Sequence, residues 1–490
     1  MLNLLFTILL LFYSGIFTSG RNSKLFISAI ISTIILFYFY IIFVILLITI
    51  KTCTYIYFQV KLLQIANTLL LHFHFDNIHN STLLALINMV FLYIFLYAIY
   101  YIYFDKFIVK FLLTLHIFTF IMNLFLLSRN IFTIFVFWEF LGLLSFCLIS
   151  YNWYRLHALK GAFRSITLGK GGDFLILTGY IYLINIFGEL TLSHTYLALF
   201  AEYRLAQYII FLLVLGASSK STQLGLHIWL PDAMEGPIPV SALIHAATLV
   251  ISGIILITPF KDIVVFHINI VHVFLLWGIL TLIFLGGSIL SNFDLKRFIA
   301  FSTILQIGIS GVLLITTHTA LAFSYFSYHM LYKSTLFINL GIWIHTFYNI
   351  QDIRTILWDG VQMNISSKAN ITLVLLNSLS FWFSTGFYIK EHLLTSSTYQ
   401  QQSSFIFEIL LFILLMILIG SLYNIFLLLY INFYTSTNFL NCTSYLIYDT
   451  EVVVVLLLLS TLLTVFSGNF FLNILLDVGF NNFEYSFTQF

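Results

Sequence analysis

Pro231-Asp232-Ala233-Met234-Glu235-Gly236-Pro237-Ile238-Pro239-Val240-Ser241-Ala242-Leu243-Ile244-His245-Ala246-Ala247-Thr248 is the stretch that decides how this chain is read. It sets two acids, three prolines and a histidine between hydrophobic spans, shortly after a lysine, Lys220, that interrupts an apolar run. Ionisable residues at membrane depth are costly, so those present mark ion paths. Pro237 and Pro239 open the next span, where first-turn amides lack acceptors in any case.

The surrounding composition supports a membrane setting. The chain has 490 residues, of which 61% are hydrophobic and only 8% charged, with a mean hydropathy of +1.05. A soluble domain could not cover its surface with so few charges, so lipid is the solvent for most of it. The apolar stretches run near-continuously over about 20 residues, where a barrel strand would alternate over about ten. Helices are therefore expected and a porin-like barrel is excluded. The net charge of +2 supplies no basic field for nucleic acid. Cys53, Cys147 and Cys442 show neither pairing nor metal spacing. The N-terminus lacks a basic n-region and a small-residue cleavage site, and reads as a retained first helix.

The predicted fold class is an all-α polytopic membrane protein with about 14 transmembrane helices. The spans are placed at 1–18, 25–50, 83–104, 107–127, 131–151, 166–187, 208–230, 238–258, 271–291, 298–316, 320–345, 371–392, 405–431 and 450–467. Polar excursions fall at 51–82 and 346–370. Two spans read as discontinuous. Leu215-Gly216-Ala217-Ser218-Ser219-Lys220-Ser221-Thr222 and Ser384-Thr385-Gly386-Phe387-Tyr388-Ile389-Lys390-Glu391 each set small and hydroxyl residues around a lysine, and the lysines are 170 residues apart. Paired interruptions of this kind point to an inverted-repeat transporter with its site near the midplane.

Lys220 is the leading candidate. A lysine at the bilayer centre costs roughly 3 kcal/mol, and whether it keeps its proton depends on a nearby carboxylate. A lysine whose partner moves is a proton switch; the plainer alternative is snorkelling to an interface. Glu139, deep in an apolar span, is its expected partner. Tyr325, His329 and Lys333 recur every fourth residue and share one helical face, as a proton wire requires. His245 is read as a relay between two halves, or else as a histidine bonded to a neighbouring helix. Lys390 and Glu391 are adjacent and cannot face each other on one helix. Asp173 is placed near a span end and read as an electrostatic modulator. Asp294, Lys296 and Arg297 are read as a solvated surface anchor. There is no CxxC cluster, no phosphate loop and no defensible haem histidine pair, so no electron chemistry is expected of this chain.

These residues also carry a family resemblance. Gly216 through Gly253, with Trp138-Glu139, Asp294-Leu295-Lys296-Arg297, Gln351-Asp352-Ile353-Arg354 and Thr385 through Glu391, resembles chain 5 of NADH:ubiquinone oxidoreductase, the respiratory complex I, of mitochondrial type. The matches run from about residue 130 to 395. The resemblance implies two inverted five-helix antiporter-like repeats and a role in proton pumping coupled to electron transfer from NADH to ubiquinone in other subunits. It implies no cofactor bound here: NADH, FMN, Fe–S clusters and ubiquinone belong to the rest of the complex. Partners would be other membrane-arm subunits and lipid, in the mitochondrial inner membrane. By position, Glu139 resembles the glutamate of the first repeat and Lys220 its lysine; His245 and Lys333 resemble the central relay, and Lys390 the exit lysine. Tyr325 stands where a further histidine is common.

The implied division is 1–106 for N-terminal helices and a polar loop, 107–258 and 271–431 for the two repeats, and 432–490 for a C-terminal helix and tail. The family's lateral helix is missing from that tail, and a separate chain is expected to supply it. Competing readings are a multi-subunit cation/proton antiporter and a scaffold that no longer pumps.

Overall fold

Long apolar runs, each bounded by polar or glycine breaks, form the helices of this protein. The computed structural model describes residues 60–65, 69–73, 78–103, 105–128, 130–187, 203–261, 264, 267–315, 319–346, 351–352, 365–379 and 386–387. Its helices are α1 (Ile78–Tyr101), α2 (Ile108–Leu127), α3 (Ile131–Ile149), α4 (Leu156–Phe187), α5 (Tyr203–Lys220), the short α6 (Trp229–Ala233), α7 (Ile238–Phe260), α8 (Ile268–Ser291), α9 (Leu295–Ile315), α10 (Thr319–Thr346) and α11 (Ile365–Ser378). Among the described residues, four segments are long and apolar enough to cross a membrane: Ile108–Leu127, Ile131–Ile149, Ile238–Phe260 and Leu295–Leu314. The expected spans 1–18, 25–50, 405–431 and 450–467 lie outside the described residues, as do Lys390 and Glu391.

The fold is helical as expected, with one short hairpin added inside the polar excursion: Val60–Ile65 (β1) and Leu69–Phe73 (β2) pair antiparallel, with Val60 opposite Phe73 and Ile65 opposite Leu69. Two span placements are corrected. The span placed at 166–187 starts at Leu156, because its polar first turns continue the same helix. At about 48 Å it outreaches the hydrocarbon core. The span placed at 208–230 is two pieces, with a break after Lys220 and the single turn of α6 beyond it.

Glycines set how the first bundle packs. A Cβ on Gly172 of α4 would overlap the Ser219 side chain and come within 2.8 Å of the Gly216 carbonyl. A Cβ on Gly216 of α5 would likewise come within 2.8 Å of the Gly172 carbonyl. Small residues facing each other let the two backbones touch, which is how helices associate where lipid removes the hydrophobic drive. The outer face of α4 exposes Phe163, Phe174, Leu177 and Ile181, a surface suited to lipid or another subunit.

The core lies around α7, buried along nearly its whole length. Its middle, Ala242–Thr248, is a π turn, and the Thr248 hydroxyl donates to the Leu243 carbonyl five residues back at 2.9 Å. Around it pack α5, α9, α10 and α1.

Candidate functional site

Lys220 is the last residue of α5 because the helix stops there by a specific cap. Thr222 takes the left-handed conformation (φ 54°) and the Gln223 amide reaches back to the Ser218 carbonyl at 3.2 Å. That is the Schellman arrangement, with threonine where glycine is usual. Trp229 covers another carbonyl of the final turn, its indole N–H donating to Ser219 at 2.9 Å. Trp277 of α8 donates to the Leu224 carbonyl at 3.0 Å. The broken span anticipated from sequence is thus built from a cap and two indoles.

The Lys220 side chain is buried. Its ammonium lies 3.9 Å from the centre of the Trp138 ring and donates to the Trp138 carbonyl. The same tryptophan donates its indole N–H to Asp173 Oδ1 at 2.5 Å. The charges of Asp173 and then Glu139 act on Lys220. Beside them is a cavity of about 20 Å³ lined by Ser145, Lys170, Asp173, Ser219, Lys220 and Trp229 among others. That is enough room for a water among polar groups.

Two sequence readings change here. Glu139 was expected to pair with Lys220 directly; its carboxylate instead accepts from Lys170 of α4, one turn before Asp173. Lys170 Nζ is also 4.0 Å from Asp173 Oδ2, so it bridges the two acids. Asp173, placed near a span end, is buried well inside α4, facing the site. Lys170 was not singled out from sequence. Its i,i+3 spacing to Asp173, inside the span expected at 166–187, is the signal that could have found it.

The second cluster sits between α9 and α10. Lys333 donates to the Ser302 hydroxyl and Tyr325 to Gln306 Oε1. Both partners lie on α9, four residues apart, so the expected ladder on α10 meets a matching one on its neighbour. His329, between Tyr325 and Lys333, stacks edge-on against Tyr332 with centroids 5.7 Å apart. Among the described residues, both of its ring nitrogens are buried without a hydrogen-bond partner, and so are those of His245 in the π turn. The plainer alternative for His245, a bond to a neighbouring helix, is therefore not what the structure shows. His245 lies with its ring centre 5.7 Å from that of Trp229, and α10 packs against its turn.

The solvated anchor expected at 294–297 is only partly that. Lys296 is buried, and its ammonium donates to the Gly236 carbonyl at 3.3 Å and the Met234 carbonyl at 3.5 Å. Arg297 reaches Glu235 at 3.3 Å and Asp294 at 3.5 Å. Burial pushes the Asp294 carboxyl above the usual range, and Arg297 pulls against that. No group of three or more possible metal ligands occurs among the described residues.

The chain also resembles known proteins in sequence and in fold. A family model described as NADH:quinone oxidoreductase/Mrp antiporter, TM, matches residues 128–420. NADH-ubiquinone oxidoreductase chain 5 of Trypanosoma brucei brucei is 46% identical over 275 residues, covering 56% of this chain and 46% of that one. Chain 5 of Yarrowia lipolytica is 32% identical over 422 residues, covering 84% and 64%. The chain thus spans about half to just under two thirds of the length of these relatives. Among solved structures, a chain of the membrane-bound sulfane sulfur reductase, an archaeal respiratory membrane complex, superposes with a TM-score of 0.82 at 17% identity, over 98% of this chain and 96% of that one. The Mrp complex from Dietzia sp. DQ12-45-1b gives 0.70 at 19% identity, over 84% and 44%. At such identities the likeness is one of fold. With more than half of its residues matched by the family model, the chain belongs to the NADH:quinone oxidoreductase/Mrp antiporter transmembrane family.

Proposed function

We propose that this chain is a proton-translocating membrane-arm subunit of a complex I, similar to chain 5. Other subunits pass electrons from NADH to ubiquinone and hold the FMN and Fe–S clusters; this chain carries protons. Its partners are neighbouring membrane-arm subunits and lipid, in a mitochondrial inner membrane. Residues 107–258 and 271–431 are read as the two inverted repeats, Lys220 serving the first and, outside the described residues, Lys390 with Glu391 beside it serving the exit of the second.

One observation carries the reading: a buried ammonium at a helix break, held by the Trp138 ring and carbonyl, under the influence of two carboxylates that have a lysine of their own. A charge pair that can be made and unmade by shifting Lys170 between Glu139 and Asp173 is a means to load and unload Lys220. From there the path runs past His245 to His329 and Lys333. A histidine with both nitrogens uncommitted can accept a proton on one and release it from the other.

The test is Lys220→Ala in the assembled complex, read as NADH-driven proton uptake into sealed vesicles alongside NADH oxidation and complex abundance. Pumping should fall well below oxidation at normal abundance. Normal pumping would refute the site. Sodium-dependent proton exchange without NADH would instead favour the antiporter reading.

A further inference from the structure

The segment Trp229–Gly236 is a short lever between Lys220 and the charged end of the bundle, and each end is held by a different set of groups. At its inner end, Trp229 donates to the Ser219 carbonyl at 2.9 Å, next to Lys220, lines the same cavity as Lys220 and Asp173, and lies against His245. At its outer end, Arg164 of α4 pairs with Asp232. Gly161 of α4 lies so close beneath the Asp232 carbonyl that a Cβ would bring an atom within 3.0 Å of the Asp232 carbonyl carbon. From the other side α9 contributes Lys296, donating to the carbonyls of Met234 and Gly236, and Arg297, reaching Glu235.

Those contacts are not equivalent. The Arg164 pair and the Gly161 approach tie the segment to α4, which already carries Lys170 and Asp173. Arg297 alone among the described ion pairs ties it to α9, the helix whose Ser302 and Gln306 receive Lys333 and Tyr325. Its guanidinium is also shared: Glu235 lies at 3.3 Å and Asp294 at 3.5 Å. It holds both carboxylates at once, Nη2 toward Glu235 and Nε toward Asp294, so the pull of either acid bears on the other contact.

We infer that the Arg297–Glu235 pair is a positioning latch that sets Trp229, and through it Lys220 and His245, according to the position of α9. The inference rests on the proton-carrying role of Lys220. A shift of α9 toward or away from Glu235 moves the outer end of the segment. Because only five residues separate Glu235 from Trp229 and Lys296 fixes two carbonyls between α6 and α7, the inner end follows. The indole then tightens or slackens its hold on the last turn of α5. Arg297 and Glu235 touch no transported proton; they act through Trp229.

The test uses Glu235→Gln, Arg297→Gln and the exchange of Glu235→Arg with Arg297→Glu, each in the assembled complex, read as protons pumped per NADH oxidised across pH. Each single variant should pump about threefold less per NADH with a displaced pH profile at normal abundance, and the exchange should recover most of the loss. Trp229→Phe, which keeps the ring and removes the N–H, should reproduce the single variants. Unchanged pumping in both singles overturns the latch. Where a single variant does not accumulate, the exchange decides: restored abundance with restored pumping supports the latch, and any other result overturns it. Lys220→Ala is run beside them. If it alone lowers pumping, only the latch falls; if it pumps normally, the underlying site falls instead.

Discussion

Lys220 and Asp173 share a single tryptophan. The ammonium of one lies over the Trp138 ring and donates to its carbonyl, while its indole N–H is bonded to the carboxylate of the other. A cation on a π face is held by the ring quadrupole, and an indole N–H satisfies a buried acid without neutralising it. Trp138 therefore keeps the two charges close yet separate, a state from which a proton can be passed through a water rather than locked in a tight pair.

Trp138→Phe separates those two tasks. The ring face under Lys220 and the backbone carbonyl remain, while Asp173 loses its donor. An unsatisfied buried acceptor costs about 1–3 kcal/mol, so the thermal midpoint of the solubilised complex should drop and pumping should fall. A variant indistinguishable from the parent in both would show that the indole bond is idle.

Glu139 and Lys170 form the more accessible pair, with side chains 23% and 50% exposed. Surface pairs contribute little stability, about 0–1 kcal/mol, so Lys170→Met should leave assembly intact. If Lys170 switches between Glu139 and Asp173, the same variant should lower pumping as much as Glu139→Gln does. A Lys170→Met complex that pumps normally while Glu139→Gln fails would leave Glu139 acting alone.

The sequence exposed the outline of this site because membrane charges are so few. Lys220, Glu139 and the Tyr325–His329–Lys333 spacing stood out against apolar runs, and the break after Lys220 was announced by small and hydroxyl residues. What stayed hidden depended on contacts between distant segments. Lys170 falls inside the span expected at 166–187, but nothing in the sequence shows that Glu139 of α3 lies against it. Lys296 looked solvated because nothing in its neighbourhood reveals that the carbonyls of Met234 and Gly236 lie above it. The hairpin at 60–73 was read as a plain polar loop, since its short apolar runs lack the length that decides between element types.

On α10, Lys333 and Tyr325 each have a hydrogen-bond partner on α9, whereas His329 has none at either ring nitrogen among the described residues. A group without a fixed partner is replaceable by water if the space it leaves is polar. His329→Ala should therefore reduce pumping less than Lys333→Ala. Equal or reversed effects, measured in the same vesicles, would count against a ladder.

Gly172→Ala tests whether close packing of α4 on α5 sets the site. The added methyl would overlap Ser219, adjacent to Lys220, and approach the Gly216 carbonyl at 2.8 Å. Overpacking of this kind costs about 1–3 kcal/mol, and relief requires the helices to part, carrying Asp173 away from Lys220. Both stability and pumping should fall. Gly171→Ala on the same helix meets nothing within 4 Å and should be close to silent. If the two behave alike, the crossing is not what positions the acid.

Thr222 offers the opposite sign. It holds φ at 54° directly after the cap of α5, a conformation that costs a side-chain-bearing residue about 1–2 kcal/mol and is a marked outlier for a β-branched one. Among the described residues its buried hydroxyl has no hydrogen-bond partner, so no such bond offsets the strain. Thr222→Gly removes the strain and keeps the Schellman bond from Gln223 to Ser218, because glycine enters that region freely. The variant should raise the thermal midpoint of the complex. If the strain only reflects the lack of a better residue, pumping should be unchanged. If it makes the end of α5 ready to rearrange as Lys220 exchanges its proton, the stabler variant should pump more slowly per NADH oxidised. A lowered midpoint would mean that the threonine side chain makes a stabilising contact, and both readings of the cap would fail together.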